Sequence, residues 1–215
     1  AFATGMTPVE IEHLLSTISW DKALAAGASF PDKAFRRKQD ARAFPSRLEF
    51  GLRGGFSLPA GLVASQQVEL LLGRIAMPYY ATASFDQFPT PFRCVATDLK
   101  NADTVVFDHG WLPEALRATM ALPGVFASVT VDGRTLVDGG LVNNVPADVA
   151  AAMGTDVVIA VDVSGDLAFP ERGDSLLAVS IRSLEVMMRA GSRRALESAN
   201  IVLVPDLKGF WGIDF

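Results

Sequence analysis

The chain has 215 residues, of which 50% are hydrophobic and 20% are charged, a composition that excludes intrinsic disorder and suffices for one domain with a substantial core. The formal net charge of −5 argues against nucleic acid as a partner, because nucleic-acid binding usually requires a basic patch. No apolar run approaches the roughly 18–20 residues that span a bilayer, although contact with a membrane surface stays open.

Cys94 is the single cysteine, so the chain can form neither an internal disulfide nor a cysteine zinc site. Residues 1–5 lack the basic and apolar regions of a secretory signal. We expect no metal and no cofactor. A cytoplasmic and an exported location both stay open, and so does the oligomeric state.

The first predicted element is a helix over residues 7–19. Thr7 can cap it, Pro8 suits its first position, and Glu10 completes a capping box with Thr7. Residues 1–5 resemble the end of an earlier element, so we expect further sequence before Ala1.

Residues 20–60 are rich in loop signals, with a strand expected over 48–52 and a turn at 53–55. The basic cluster Arg36-Arg37-Lys38 is interpreted as solvated surface. A further helix is predicted over residues 61–75, ended by Pro78.

From residue 92 onward, strands and helices alternate. The patterns predict strands over residues 92–99, 104–108, 157–163 and 201–204, and helices over 112–120, 147–153 and 175–199. The continuous apolar run at 157–163 is typical of a strand buried on both faces. The alternation predicts a single α/β domain, a layered sandwich with a mostly parallel sheet. The aromatic tail is expected to pack on the body or to continue into further sequence.

A β-hairpin is predicted in the segment with the densest turn signals. Two short strands, residues 129–131 and 135–137, are expected to pair across the two-residue turn Asp132-Gly133.

Asp138 stands at the end of the second hairpin strand and is followed by Gly139 and Gly140. We expect these glycines to adopt backbone conformations barred to other residues and to let another segment or a substrate approach closely. A carboxylate on such a turn is a candidate general base. The alternative is that Asp138 only caps the next turn by accepting backbone N–H bonds.

The other polar candidates are interpreted as structural. We expect His13 and His109 to lie at the surface. Asp98 and Asp162 are expected to be buried partners or caps. Asn143 and Asn144 are expected to shape the turn through side-chain-to-backbone bonds.

Several segments follow one another along the chain: PFRCVATDL, PEALRATMALPGVF, DGG followed by NNVP, and VVIAVDV. Their order resembles that of the patatin-like phospholipase family, in particular its bacterial members. The segment TGMTPVEIEHLL also resembles the one that follows the nucleophile helix of that family.

The resemblance implies a three-layer α/β/α sandwich with a mostly parallel central sheet, and hydrolysis of lipid acyl esters by a Ser-Asp dyad. In that family the serine lies in G-x-S-x-G, and a glycine-rich loop forms the oxyanion hole. The aspartate falls on Asp138, supported by Gly139 and Gly140. The implied partner is a lipid or acyl-ester substrate, with membrane-surface contact and a cytoplasmic or outer-membrane-associated location in a bacterium left open.

The sequence departs from the family pattern because it has neither G-x-S-x-G nor a Gly-Gly-Gly type loop. The segments GASFP at 27–31 and GFSLP at 55–59 lack the final glycine. We therefore expect one patatin-like domain over residues 1–215, incomplete at its N-terminus and open at its C-terminus. Such a chain supplies the base without the nucleophile and should be inactive alone.

Two other hypotheses stay open. The chain could be a degenerate relative that binds lipid or protein without turnover, with Met187 and Met188 lining an apolar groove rather than filling the core. A nucleotide-binding α/β domain is disfavoured, because the sequence has neither G-x-G-x-x-G nor a Walker loop.

Overall fold

The computed structural model describes residues 1–20, 65–164 and 176–207. The helices are α1 (Pro8–Thr17), α2 (Ser65–Ala76), α3 (Leu112–Thr119), α4 (Gly140–Asn143), α5 (Ala147–Ala152) and α6 (Leu176–Leu196). The strands are β1 (Cys94–Asp98), β2 (Thr104–Phe107), β3 (Val129–Val131), β4 (Arg134–Asp138), β5 (Ile159–Val161) and β6 (Ile201–Leu203). The predictions made for residues 36–38, 48–55 and 209–215 lie outside the described residues.

Helix α1 begins as its sequence predicts. The Thr7 side chain accepts a hydrogen bond from the Glu10 N–H at 3.3 Å, and the Glu10 carboxylate accepts one from the Thr7 N–H at 2.8 Å. The predicted helices that correspond to α3, α5 and α6 are confirmed with slightly shorter ends. Among the helices that the structure describes, none has both the length and the apolarity needed to cross a bilayer.

Four strands form one sheet in the order β2-β1-β4-β3, and each neighbouring pair is antiparallel. The predicted hairpin is confirmed between β3 and β4. Asp132 and Gly133 both have positive φ, 49° and 74°, as a two-residue hairpin turn requires. The remaining pair, β5 and β6, is parallel.

The predicted α/β class holds, but the mostly parallel sheet is not confirmed for the described strands. A parallel pair needs a crossover of about a dozen residues or more, whereas a short turn can join only antiparallel strands. The turns at residues 99–103 and 132–133 are too short for a crossover. β5 and β6, with α6 between them, are far enough apart in the chain for parallel pairing. β1 and β4 are also far apart in the chain but pair antiparallel, so chain length does not decide their direction.

The described residues form three core clusters that fix the helices against the sheets. Their buried members include Phe85, Phe88 and Leu112 beside β1, then Ala96, Ala118 and Leu136 between α3 and the sheet, and Val145, Val158 and Ala160 beside α6. The second cluster places α3 directly against β1 and β4, the two strands that carry the candidate site.

The described residues cover one face of strand β5 and leave the other exposed. Val158 and Ala160 are buried next to Leu196, whereas Ile159 and Val161 are more than half exposed. The prediction of a strand buried on both faces is therefore wrong for this part of the chain. A continuous apolar run indicates two apolar faces, but it does not determine what packs on each face.

Candidate active site

Asp138 is the last residue of β4, and hydrogen bonds hold its main chain from two sides. Its N–H donates to the carbonyl of Ala121 at 3.1 Å, and its own carbonyl accepts a bond from Thr97 Oγ1 at 2.9 Å. Ala121 follows α3 and Thr97 belongs to β1, where Ala96 is the register partner of Asp138. The sheet and the helix therefore fix the position of this residue together.

The Asp138 side chain is half-buried, and only one of its oxygens has a partner among the residues that the structure describes. Oδ1 accepts a hydrogen bond from the Gly140 N–H at 2.7 Å. In the part of the chain that the structure describes, no donor contacts Oδ2. The bond to Gly140 is the capping contact of the alternative interpretation, yet it leaves the second oxygen available for another donor.

Burial raises the pKa of the Asp138 carboxyl above its ordinary value, and the hydrogen bond from Gly140 lowers it in part. Burial removes water from the ionised carboxylate, whereas the Gly140 N–H provides it with a hydrogen-bond donor. A carboxylate whose pKa is raised toward neutrality is a better proton acceptor, so the environment favours a general base.

The glycines after Asp138 are required by packing and not by unusual torsion angles. Gly139 has a φ of −63°, and Gly140 is not among the glycines with positive φ. The prediction of conformations barred to other residues is therefore wrong. A Cβ atom on Gly139 would lie 2.3 Å from the carbonyl oxygen of Val95, so close contact with β1 explains this glycine.

Helix α6 packs against α4 over the Asp138 turn. A Cβ atom on Gly140 would lie 2.5 Å from Met188 Cε and 3.0 Å from Asp138 Oδ1. One turn later, a Cβ on Gly191 would lie 2.5 Å from the carbonyl oxygen of Val142. Met188 and Gly191 were not predicted as part of the site. A glycine within a helical pattern was the available signal, since it often marks a close approach.

The asparagines after the glycines behave differently from the prediction. Asn143 Nδ2 donates to Asp148 Oδ1 at 2.8 Å, which links α4 to α5, and its Oδ1 is buried without a hydrogen-bond partner among the described residues. The predicted side-chain-to-backbone bonds are absent from Asn143 and Asn144 in this part of the structure. The segment is shaped by a side-chain pair instead.

The remaining polar candidates lie where the sequence predicts. His13 and His109 are exposed. Asp98 accepts a bond from the Lys100 N–H and Asp162 accepts one from the Ser164 N–H, both at 2.9 Å, so each stabilises its own turn. Within the described ranges, no three His, Cys, Asp or Glu side chains cluster as metal ligands do.

Comparison with known proteins places these observations in a family. A family model described as patatin-like phospholipase matches residues 1–151. Uncharacterized NTE family proteins of Mycobacterium bovis and Mycobacterium tuberculosis are each 36% identical to this chain over 133 residues, which is 62% of this chain and 36% of each relative. Patatin-like phospholipase domain-containing protein 7 of Rattus norvegicus is 43% identical over 75 residues, 34% of this chain and 6% of the relative.

The chain therefore spans little more than a third of the mycobacterial relatives and a small part of the rat protein. The matched family model nevertheless covers well over half of the chain, including the hairpin, Asp138 and both glycines. On this match, the chain belongs to the patatin-like phospholipase family.

Proposed function

We propose that this chain supplies the general base of a lipid acyl hydrolase, a phospholipase or esterase. In this proposal Asp138 is the aspartate of a Ser-Asp dyad, and the serine comes from sequence outside the 215 residues. The observation that carries the proposal is the Asp138 carboxylate, which is fixed at a strand end with Oδ2 unpaired among the described residues. Gly139 and Gly140 support it by letting β1 and α6 approach the turn.

The proposed reaction proceeds in two stages. Asp138 Oδ2 takes the hydroxyl proton as the serine oxygen attacks the acyl carbonyl carbon. The ester C–O bond then breaks, the leaving alcohol takes the proton from the carboxyl group, and an acyl-serine remains. A water molecule attacks the acyl-serine while the same carboxylate accepts its proton. The bond between the serine oxygen and the acyl carbon then breaks, the serine oxygen takes the proton from the Asp138 carboxyl group, and the fatty acid leaves.

The raised pKa of Asp138 supports this role because no histidine takes part in the proposed dyad. An ordinary aspartate is a weak base. Burial raises the pKa of Asp138 and so reduces the difference between its pKa and that of the serine hydroxyl group. For the complete protein we also propose the three-layer α/β/α sandwich of the family.

The test compares the 215-residue chain with a longer protein that includes whatever its gene encodes before Ala1. We expect no hydrolysis of p-nitrophenyl butyrate by the short chain. The longer protein should hydrolyse the ester and react with a fluorophosphonate at a serine. In the longer protein, Asp138→Asn should lower kcat by about 100- to 10,000-fold, the usual contribution of a general base.

Asp132→Asn is the matched control. It makes the same chemical change a few residues earlier, at an exposed turn position with positive φ that asparagine tolerates well. We expect this variant to keep the activity of the longer protein. Hydrolysis that survives Asp138→Asn would contradict the proposal. A longer protein without hydrolysis or labelling would favour the degenerate binding domain.

A further inference from the structure

The outward face of α6 carries apolar and basic side chains together. Val179 is 54% exposed and Val186 is 56% exposed, and they are seven positions apart, which places them on one line along the helix. Met187, in the adjacent row, is 61% exposed. Because these side chains face away from α4, the described fold leaves them uncovered.

The helix that carries this face is positively charged in an acidic chain. The segment Leu176–Leu196 contains four arginines and one glutamate, a formal charge of +3, whereas the whole chain has −5. Arg193 continues the line of Val179 and Val186, and Arg194 lies in the row of Met187; both are exposed. Arginines that flank exposed valines and methionine are typical of helices that lie in a membrane interface.

We propose that this outer face of α6 docks on an anionic phospholipid surface. The apolar side chains would enter the boundary between headgroups and acyl chains, and Arg193 and Arg194 would pair with phosphate groups. A nucleic acid would pair with the arginines but would not cover the valines and Met187. A bilayer satisfies both sets of side chains, and it also contains the substrates of the function proposed above, on which this inference rests.

The opposite face of the same helix covers the candidate site. Met188 contacts Gly140, and Gly191 lies against the Val142 carbonyl. A helix with its side chains is about 10–12 Å across, so docking would bring the Asp138 turn to within roughly one helix diameter of the lipid surface. Docking through α6 therefore brings the proposed base close to its lipid substrate.

The test is flotation of the 215-residue chain with vesicles. We expect binding to vesicles of phosphatidylcholine and phosphatidylglycerol in equal parts, and much weaker binding to phosphatidylcholine alone. Raising NaCl from about 0.1 M to about 0.5 M should weaken binding, because salt screens the attraction between the arginines and the lipid phosphates. Arg193→Glu and Val186→Glu should each lower the partition coefficient by about tenfold or more.

Each variant has a matched control on another helix. Arg74→Glu reverses an exposed arginine in the last turn of α2, as Arg193→Glu does in α6. Val9→Glu places a charge on an exposed valine of α1. Both controls change the net charge as their partners do and should keep wild-type vesicle binding. Circular dichroism should show the same helix content for all four variants.

Absent binding to the anionic vesicles would overturn the inference, and so would equal losses in the control variants. A dimer in light scattering that Val186→Glu dissociates, without vesicle binding, would assign the face to a second copy of the chain. Vesicle binding that is unchanged by Asp138→Asn, with no ester hydrolysis by the longer protein, would retain this inference and reject the proposed function. Hydrolysis of a soluble ester by the longer protein, without vesicle binding, would retain the proposed function and reject this inference.

Discussion

Gly139 lies against the carbonyl oxygen of Val95, at a place where a Cβ atom would come within 2.3 Å of that oxygen. The same carbonyl accepts a hydrogen bond from the Thr119 hydroxyl at the end of α3. β1, α3 and the residue that follows the proposed base therefore meet at one point. A side chain at position 139 would have to move backbone atoms that the sheet holds in place.

The two glycines should consequently differ in their response to alanine. Gly139→Ala should lower the free energy of unfolding by about 1–3 kcal/mol, because its neighbour is a backbone carbonyl within a strand. Gly140→Ala should cost less, because its nearest neighbours are the flexible ends of the Met188 and Asn144 side chains. Urea unfolding of both variants measures the difference. If Gly140→Ala lost as much stability as Gly139→Ala, or more, there would be more space beside Gly139 than this packing indicates.

Gly191→Ala should also destabilise the protein, although alanine is favoured over glycine in a helix by about 1 kcal/mol. The added methyl group would meet the Val142 carbonyl and push α6 away from α4. Gly73→Ala in α2 is the control, since no atom lies within 4 Å of its Cβ position. Gly73→Ala should raise the unfolding midpoint in urea, and Gly191→Ala should lower it. A rise in both variants would contradict the close contact between α4 and α6.

Asp138→Asn should stabilise the protein near neutral pH. Burial raises the folded-state pKa of Asp138 above its unfolded value, so the stability associated with this group is complete below the unfolded pKa and is lost as pH rises through the folded pKa. The carboxamide keeps an oxygen for the Gly140 N–H and never ionises. Urea unfolding as a function of pH should show a stability advantage for the variant that grows with pH. An advantage that is independent of pH would point to a cause other than ionisation.

Cys94 provides a probe of β1. Burial raises the pKa of its thiol to about 12, and the side chain is 8% exposed. Because the thiolate is the reactive form, modification by Ellman's reagent near pH 8 should be about a thousandfold slower than for a free thiol. Denaturant should restore the ordinary rate, and Cys94→Ser should give no signal because the chain has no other cysteine. Fast modification of the folded protein would show that β1 opens readily.

Elements that depend on neighbouring residues could be predicted from the sequence. The capping box of α1 and the turn at Asp132-Gly133 each need only a few adjacent residues of the right type, and both are confirmed. Asp138 could be selected as a candidate for the same reason, because a carboxylate between a strand and two glycines is a local pattern. Its catalytic role stays a prediction.

Features that depend on distant residues could not be predicted in the same way. The antiparallel pairing of β1 with β4 joins residues far apart in the chain, and the exposure of Ile159 follows from what packs on β5. Met188 and Gly191 reach the Asp138 turn from a helix far along the chain. Nothing in the residues around Asp138 specifies that contact, because it is made by packing between α4 and α6.

The hydrogen bonds that the Asp138 main chain makes with Ala121 and Thr97 limit how its carboxylate can move. They fix the Asp138 main chain between a strand ladder and the end of a helix, so the carboxylate can move by side-chain rotation alone. In the proposed reaction, the nucleophile and the ester would therefore approach a carboxylate whose main chain is fixed. Under that proposal, we expect variants that change turnover without changing Asp138 to lie in the segment that carries the serine.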